Sequence, residues 1–215
     1  MKTYKFIDTT EAEQILTKKP FDEIELSPKI REMNKKIFGE DLSAIDIVRK
    51  IVSEVRSEGD SAVSKYTEMI DGIRLENFEV SYEEFSEAEK NVDKDVLIAL
   101  ERAASNIRKY HEEQKPNSWI TYCEHGSILG QSIVPLRRVG IYVPGGTASY
   151  PSSVLMNVIP AVVAGVSEIF VTVPAKNKVN PYVLMAMKIC GVDKVFKIGG
   201  AQAVAAFAFG TETIP

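Results

Sequence analysis

The sequence predicts an α/β fold built on a parallel sheet, and three observations carry that prediction. First, three short runs are rich in apolar, β-branched residues: Val139–Val143, Ile169–Val173 and Val195–Ile198. Second, each run is followed by a Gly/Pro-rich turn and then a segment with helical spacing. Strands alternating with helices of this length are the pattern of βαβ units. Third, the runs are nearly continuous in apolar residues, as expected for strands covered on both faces. Ligands in open sheets of this kind bind outside the carboxyl ends of the strands. The turns Pro144-Gly145-Gly146 and Gly199-Gly200-Ala201-Gln202 are therefore where chemistry is expected.

Ahead of the sheet the pattern is mostly helical. Tyr4–Ile7 reads as a short extended run, and Thr10-x-x-Glu13 is a capping-box pattern for a helix after it. Ser27-Pro28 starts a second helix that Gly39 can stop. Ser43 caps a third, whose apolar residues Ile45, Ile47, Val48, Ile51, Val52 and Val55 share one face. Glu58-Gly59-Asp60 breaks it, and a fourth helix runs through Val63, Tyr66 and Met69 to Gly72. Ile73–Val80 reads as a strand or extended connector, and Ser81-x-x-Glu84 opens another helix. The clearest helix spans Lys94 to Glu113, with a stripe of Val96, Leu97, Leu100, Ala103, Ala104 and Ile107. Trp119–Cys123 and Ile128–Val134 pair as a β-hairpin around Glu124-His125-Gly126. The last helix is Ala201–Gly210, and Thr211–Pro215 reads as a loop leading to a further strand. A sheet of three strands is small, so the chain is expected to be part of something longer.

Composition narrows the function. The 215 residues are 45% hydrophobic and 26% charged, ordinary for a globular protein with a real core. A net charge of −4 gives no electrostatic case for nucleic-acid binding. The N-terminus lacks the apolar segment of a signal peptide, and Val154–Val166 is too short to span a bilayer. The two cysteines, Cys123 and Cys190, read as reduced thiols of a cytoplasmic protein.

Few residues offer catalysis. The glycines after Val143 let backbone approach a ligand, and amides opening a helix favour anions such as a pyrophosphate. A tight βα turn needs the same glycines for its geometry alone, and the motif is not G-x-G-x-x-G. Gln202 can both donate and accept at the same edge, or it can simply be polar at a helix start. His111, beside Glu112 and Glu113, reads as solvated. Cys123-x-His125 lacks the further ligands a zinc site needs, and two histidines leave no room for a Ser-His-Asp arrangement.

Two long stretches resemble a known family. VGIYVPGGTASYPSSVLM and GVDKVFKIGGAQAVAAFAFGTETIP are similar to histidinol dehydrogenases, as are VRSEGDSAVSKYTEMID, IRKYHEEQ and IVPLRRVGIYVPGG. The resemblance implies an NAD-dependent zinc enzyme of two Rossmann-like domains that oxidises L-histidinol to L-histidine through an aldehyde. It implies a homodimer with shared active sites. Tyr142 and Gln202 would contact NAD, with Pro144, Gly145 and Gly146 beside it. Residues 1–136, hairpin included, would belong to a discontinuous first α/β domain, and residues 137–215 to a second, Rossmann-like NAD-binding domain. The family's zinc ligands and acid/base residues are expected beyond residue 215, so no catalytic or metal-binding residue is assigned here and the polypeptide alone is expected to be inactive. Two other readings stand beside this one. One is a related zinc- and NAD-dependent dehydrogenase of another small alcohol, and the other is a non-enzymatic assembly module using the same fold.

Overall fold

A computed structural model describes residues 9–17, 26–145, 150–175 and 178–215. The extended run expected at Tyr4–Ile7 lies outside them, as does Gly146. The chain divides into two compact units, residues 1–50 and 51–215.

In the first unit, helix α1 spans Thr9–Leu16 and α2 spans Pro28–Phe38. Thr10 was expected to cap α1 but lies inside it, because the helix already starts at Thr9, two residues before the expected first helical position. The second start is as expected. The Ser27 hydroxyl accepts from the Ile30 amide, Pro28 fills the first helical position, and Gly39 ends the helix at φ 75°. Helix α3, Ala44–Glu58, continues across the division at residue 50, and Ser43 accepts from the Asp46 amide at its start.

In the second unit, α4 (Asp60–Asp71) follows α3 after Gly59. Gly59 offers no side-chain cap, and the carboxylate of Glu212 takes that role by accepting from the Asp60 amide at 2.8 Å. The Thr213 hydroxyl bonds the Asp60 carboxylate beside it. Ser81 and Glu84 form the expected capping box at the start of α5, Tyr82–Lys90. Helix α6 runs Lys94–Gln114. Its expected stripe holds at Leu97, Leu100, Ala103, Ala104 and Ile107, which pack on the core. Val96 departs from it and is exposed, at the edge of the stripe in the helix's first turn.

Strands β1 (Trp119–Tyr122) and β2 (Ile128–Gln131) form the expected antiparallel hairpin, with Ile120 opposite Gly130 and Tyr122 opposite Ile128. Both strands are shorter than the apolar runs suggested: β1 stops before Cys123 and β2 at Gln131, beyond which the Ser118 hydroxyl accepts from the Ile133 amide. The second sheet is parallel in the order β3 (Arg138–Tyr142), β4 (Glu168–Thr172), β5 (Lys194–Phe196). Helix α7 (Pro151–Ala164) links the first two strands and α8 (Pro181–Cys190) the next two. The expected extended segment before α5 adds an antiparallel edge next to β5: Val80 donates to Val195 and Lys197 to Phe78. Helix α9, Gly200–Phe209, ends the described elements.

The near-continuous apolar runs are explained by two-sided cover. Ile169, Val171 and Val173 join the cluster formed with α7 and α8. The alternate residues face the other way, where Phe196 meets Phe207 of α9 edge-on at 5.8 Å. Each fully buried side chain of this size is worth roughly 1.5–3 kcal/mol. At the opposite end of the strands, Arg138 and Arg137 both bond Glu168 and hold its carboxyl below the usual range.

Candidate functional site

Parallel strands deliver their following turns to one end of a sheet, and here three turns meet there. Pro174, after β4, is the wedge between the other two. A Cβ on Gly199 would come within 2.5 Å of the Pro174 ring, and a Cβ on Gly145 would run into the Pro174 carbonyl. The glycines after β3 and β5 are thus required by a close approach between turns, whatever else they do.

Tyr142 and Gln202 converge on Gly200, the first residue of α9. The Tyr142 hydroxyl accepts from the Gly200 amide at 3.2 Å, and its ring is 39% exposed. Gly200 adopts φ 65°, and a Cβ there would stand 2.5 Å from the Gln202 Oε1. The Gln202 side chain therefore folds back beneath the start of its own helix. It is fully buried, and among the described residues neither its Oε1 nor its Nε2 has a hydrogen-bond partner. A polar residue at a helix start more often faces water, and Gln202 does not. A buried amide with neither end bonded is costly, on the order of 1–3 kcal/mol for each unmade bond.

Pro144 and Gly145 are exposed on the β3 turn, beside buried Val143. The charge near the third turn is already committed. Lys197 donates to Glu84 at 2.8 Å. Burial pushes the Glu84 carboxyl up, but Lys197 and the Ser81 amide outweigh it and leave it below its ordinary range. A separate cavity of about 140 Å³ lies between α5 and α8, lined by Glu84, Glu87, Lys178 and Leu184, and does not reach Tyr142 or Gln202.

Two contributors escaped the sequence reading. Pro174 is one. The other is Thr172, fully buried in β4, whose hydroxyl donates to the Ile198 carbonyl at 2.5 Å. Its signal was a lone hydroxyl within an otherwise apolar strand. The remaining candidates stay apart. His111 contacts Tyr110 edge-on, and His125 sits at the hairpin tip with φ 64°. Cys123 is exposed and Cys190 buried. Among the described residues no group of three or more His, Cys, Asp or Glu could hold a metal ion, and no helix is long and apolar enough to cross a membrane.

Comparison with known proteins adds an independent line. The family model described as histidinol dehydrogenase matches residues 35–215. A histidinol dehydrogenase of Streptococcus mutans is 48% identical over 176 residues, covering 82% of this chain and 41% of the relative. One from Oceanobacillus iheyensis is 52% identical over 170 residues, covering 78% and 40%. The crystal structure of histidinol dehydrogenase from Elizabethkingia anophelis superposes with a TM-score of 0.77 at 34% identity, covering 88% of this chain and 45% of that one. The chain spans about two fifths of the length of the curated relatives it matches.

Proposed function

The chain belongs to the histidinol dehydrogenase family, and from that premise we propose that its β3 and β5 turns receive NAD in an enzyme that oxidises L-histidinol to L-histidine. Residues 137–215 act in this reading as a Rossmann-like dinucleotide unit, and residues 1–136 as part of the neighbouring domain. The observation that carries the proposal is Gln202, a buried amide with two unmade bonds at the start of a helix on the ligand edge of a parallel sheet.

This chain's own groups suit such a cofactor. Gly145 and Gly199 keep the floor of the turns free of side chains. Tyr142 offers a half-exposed ring and a hydroxyl that can exchange the Gly200 amide for a ligand. Gln202 offers an amide donor and a carbonyl acceptor that none of the described residues uses. NAD, when bound, supplies the acceptor for a hydride leaving the alcohol carbon. Zinc does not fit the described residues, which provide no ligand cluster. The homodimer and cytoplasmic setting belong to the same proposal, and the unpaired, well-separated thiols suit a reducing compartment.

The test is a paired measurement on Gln202→Leu. Removing an unsatisfied buried amide for an apolar side chain of similar size should raise stability to unfolding by about 1–3 kcal/mol. The same change should weaken NAD, titrated by calorimetry, by roughly tenfold or more. Tyr142→Phe should weaken it by a smaller factor, about two- to tenfold. The 215-residue polypeptide supplied with NAD, zinc and histidinol should produce no NADH at an enzymatic rate. Measurable NAD binding that neither substitution alters would refute the assignment.

A further inference from the structure

We propose that Thr172 is a positioning residue whose buried hydroxyl sets the Gly199–Gly200 turn for the dinucleotide. The inference rests on the reading that NAD binds at these turns. β4 is the middle strand of the sheet, and Thr172 stands at its carboxyl end, opposite Tyr142 on one side and Phe196 on the other. It is fully buried. Val would fill the same space with better strand propensity and no hydroxyl to satisfy, so the hydroxyl needs a use.

That use is visible in its partners. The hydroxyl donates to the Ile198 carbonyl at 2.5 Å, with the Phe196 carbonyl a more distant acceptor at 3.4 Å. The Thr172 carbonyl accepts from the Val143 amide at 2.9 Å. Each of these bonds fixes a whole peptide plane, because the peptide is flat and trans. The main-chain bond fixes the Tyr142–Val143 plane. The side-chain bond fixes the Ile198–Gly199 plane and so sends the Gly199 N–H away from β4, at the mouth of α9. Pro174 packs against the same turn, so closely that Gly199 could not carry even a methyl group. One residue thus sets both turns by two different groups, and substitution removes only the second.

This asymmetry supplies the experiment. Thr172→Val deletes the hydroxyl at constant shape, and Thr172→Ser keeps it. In ¹H–¹⁵N spectra of the 215-residue chain, Thr172→Val should shift or broaden Gly199 and Gly200 and leave Val143 in place. The Ala203 amide, which donates to the Gly199 carbonyl, should exchange roughly tenfold faster. NAD, titrated by calorimetry, should bind roughly tenfold more weakly. Thr172→Ser should restore both readouts to within about twofold. Unchanged Gly199 and Gly200 resonances in a folded Thr172→Val chain overturn the proposal. So does a moved turn with unchanged NAD affinity, provided Gln202→Leu still weakens binding. If the parent chain and every variant fail to bind NAD, the functional reading falls and takes the cofactor role of Thr172 with it, while the spectra still decide whether the hydroxyl sets the turn.

Discussion

The described residues form two sheets made from similar residues with opposite fates. In the parallel sheet Val171 is fully buried and Val195 is 2% exposed. In the hairpin Ile120 is 68% exposed and Tyr122 80%, although both are strong strand formers. The difference lies in the connections. Crossing from one parallel strand to the next requires a long segment, and α7 and α8 cover the sheet as they cross. A hairpin closes through a turn, and the short 3-10 turn at Glu124–Gly126 brings no cover with it. Its apolar residues lie on both faces: Ile120, Tyr122 and Ile128 on one, Trp119 and Leu129 on the other. Strand chemistry therefore says what a segment can bury, and topology says whether anything arrives to bury it.

The largest test of this contrast uses the two thiols. Cys123 adjoins the hairpin and is exposed, whereas Cys190 is buried in α8, where burial pushes its thiol up to about 11. Alkylation followed by peptide mass spectrometry should label Cys123 at least ~100-fold faster than Cys190, which waits for the core to open. Comparable rates would break the comparison. The next effect is energetic. Phe196→Ala should cost about 3–5 kcal/mol in denaturant unfolding, against about 0.5 kcal/mol or less for Ile120→Ala. The smallest effect sharpens the hairpin's side of the contrast. An exposed apolar patch favours association, so Tyr122→Lys with Ile128→Lys should lower self-association in sedimentation across a concentration series. Equal association in parent and variant would show that the patch is inert.

Much of this was legible in sequence. The parallel strands, the hairpin and the caps at Ser27, Ser43 and Ser81 follow from local patterns, which report on a residue's near neighbours. The Thr10 cap and the reach of Val96 were misread because a helix boundary and a stripe's edge depend on neighbours far along the chain. At the candidate site the glycines and Gln202 stood out as residue types. What the sequence could not show was their company. Pro174 wedges between turns that are 54 residues apart, Gly145 and Gly199. The orphaned state of Gln202 exists only once α9 packs down. Thr172 looked like one more strand residue, because its partner, the Ile198 carbonyl, carries no sequence signal.

The contact between Glu212 and the start of α4 has a consequence in time. The two groups are 152 residues apart in the chain. At ordinary synthesis rates, on the order of 5–20 residues per second, Asp60 is added to the chain roughly 8–30 s before Glu212. Throughout that interval α4 has no side chain to close its first turn, since Gly59 supplies none. Contacts of such long range form late in folding. The helix is thus held in waiting by its own sequence, and the arrival of Thr211–Ile214 completes an element that was made long before.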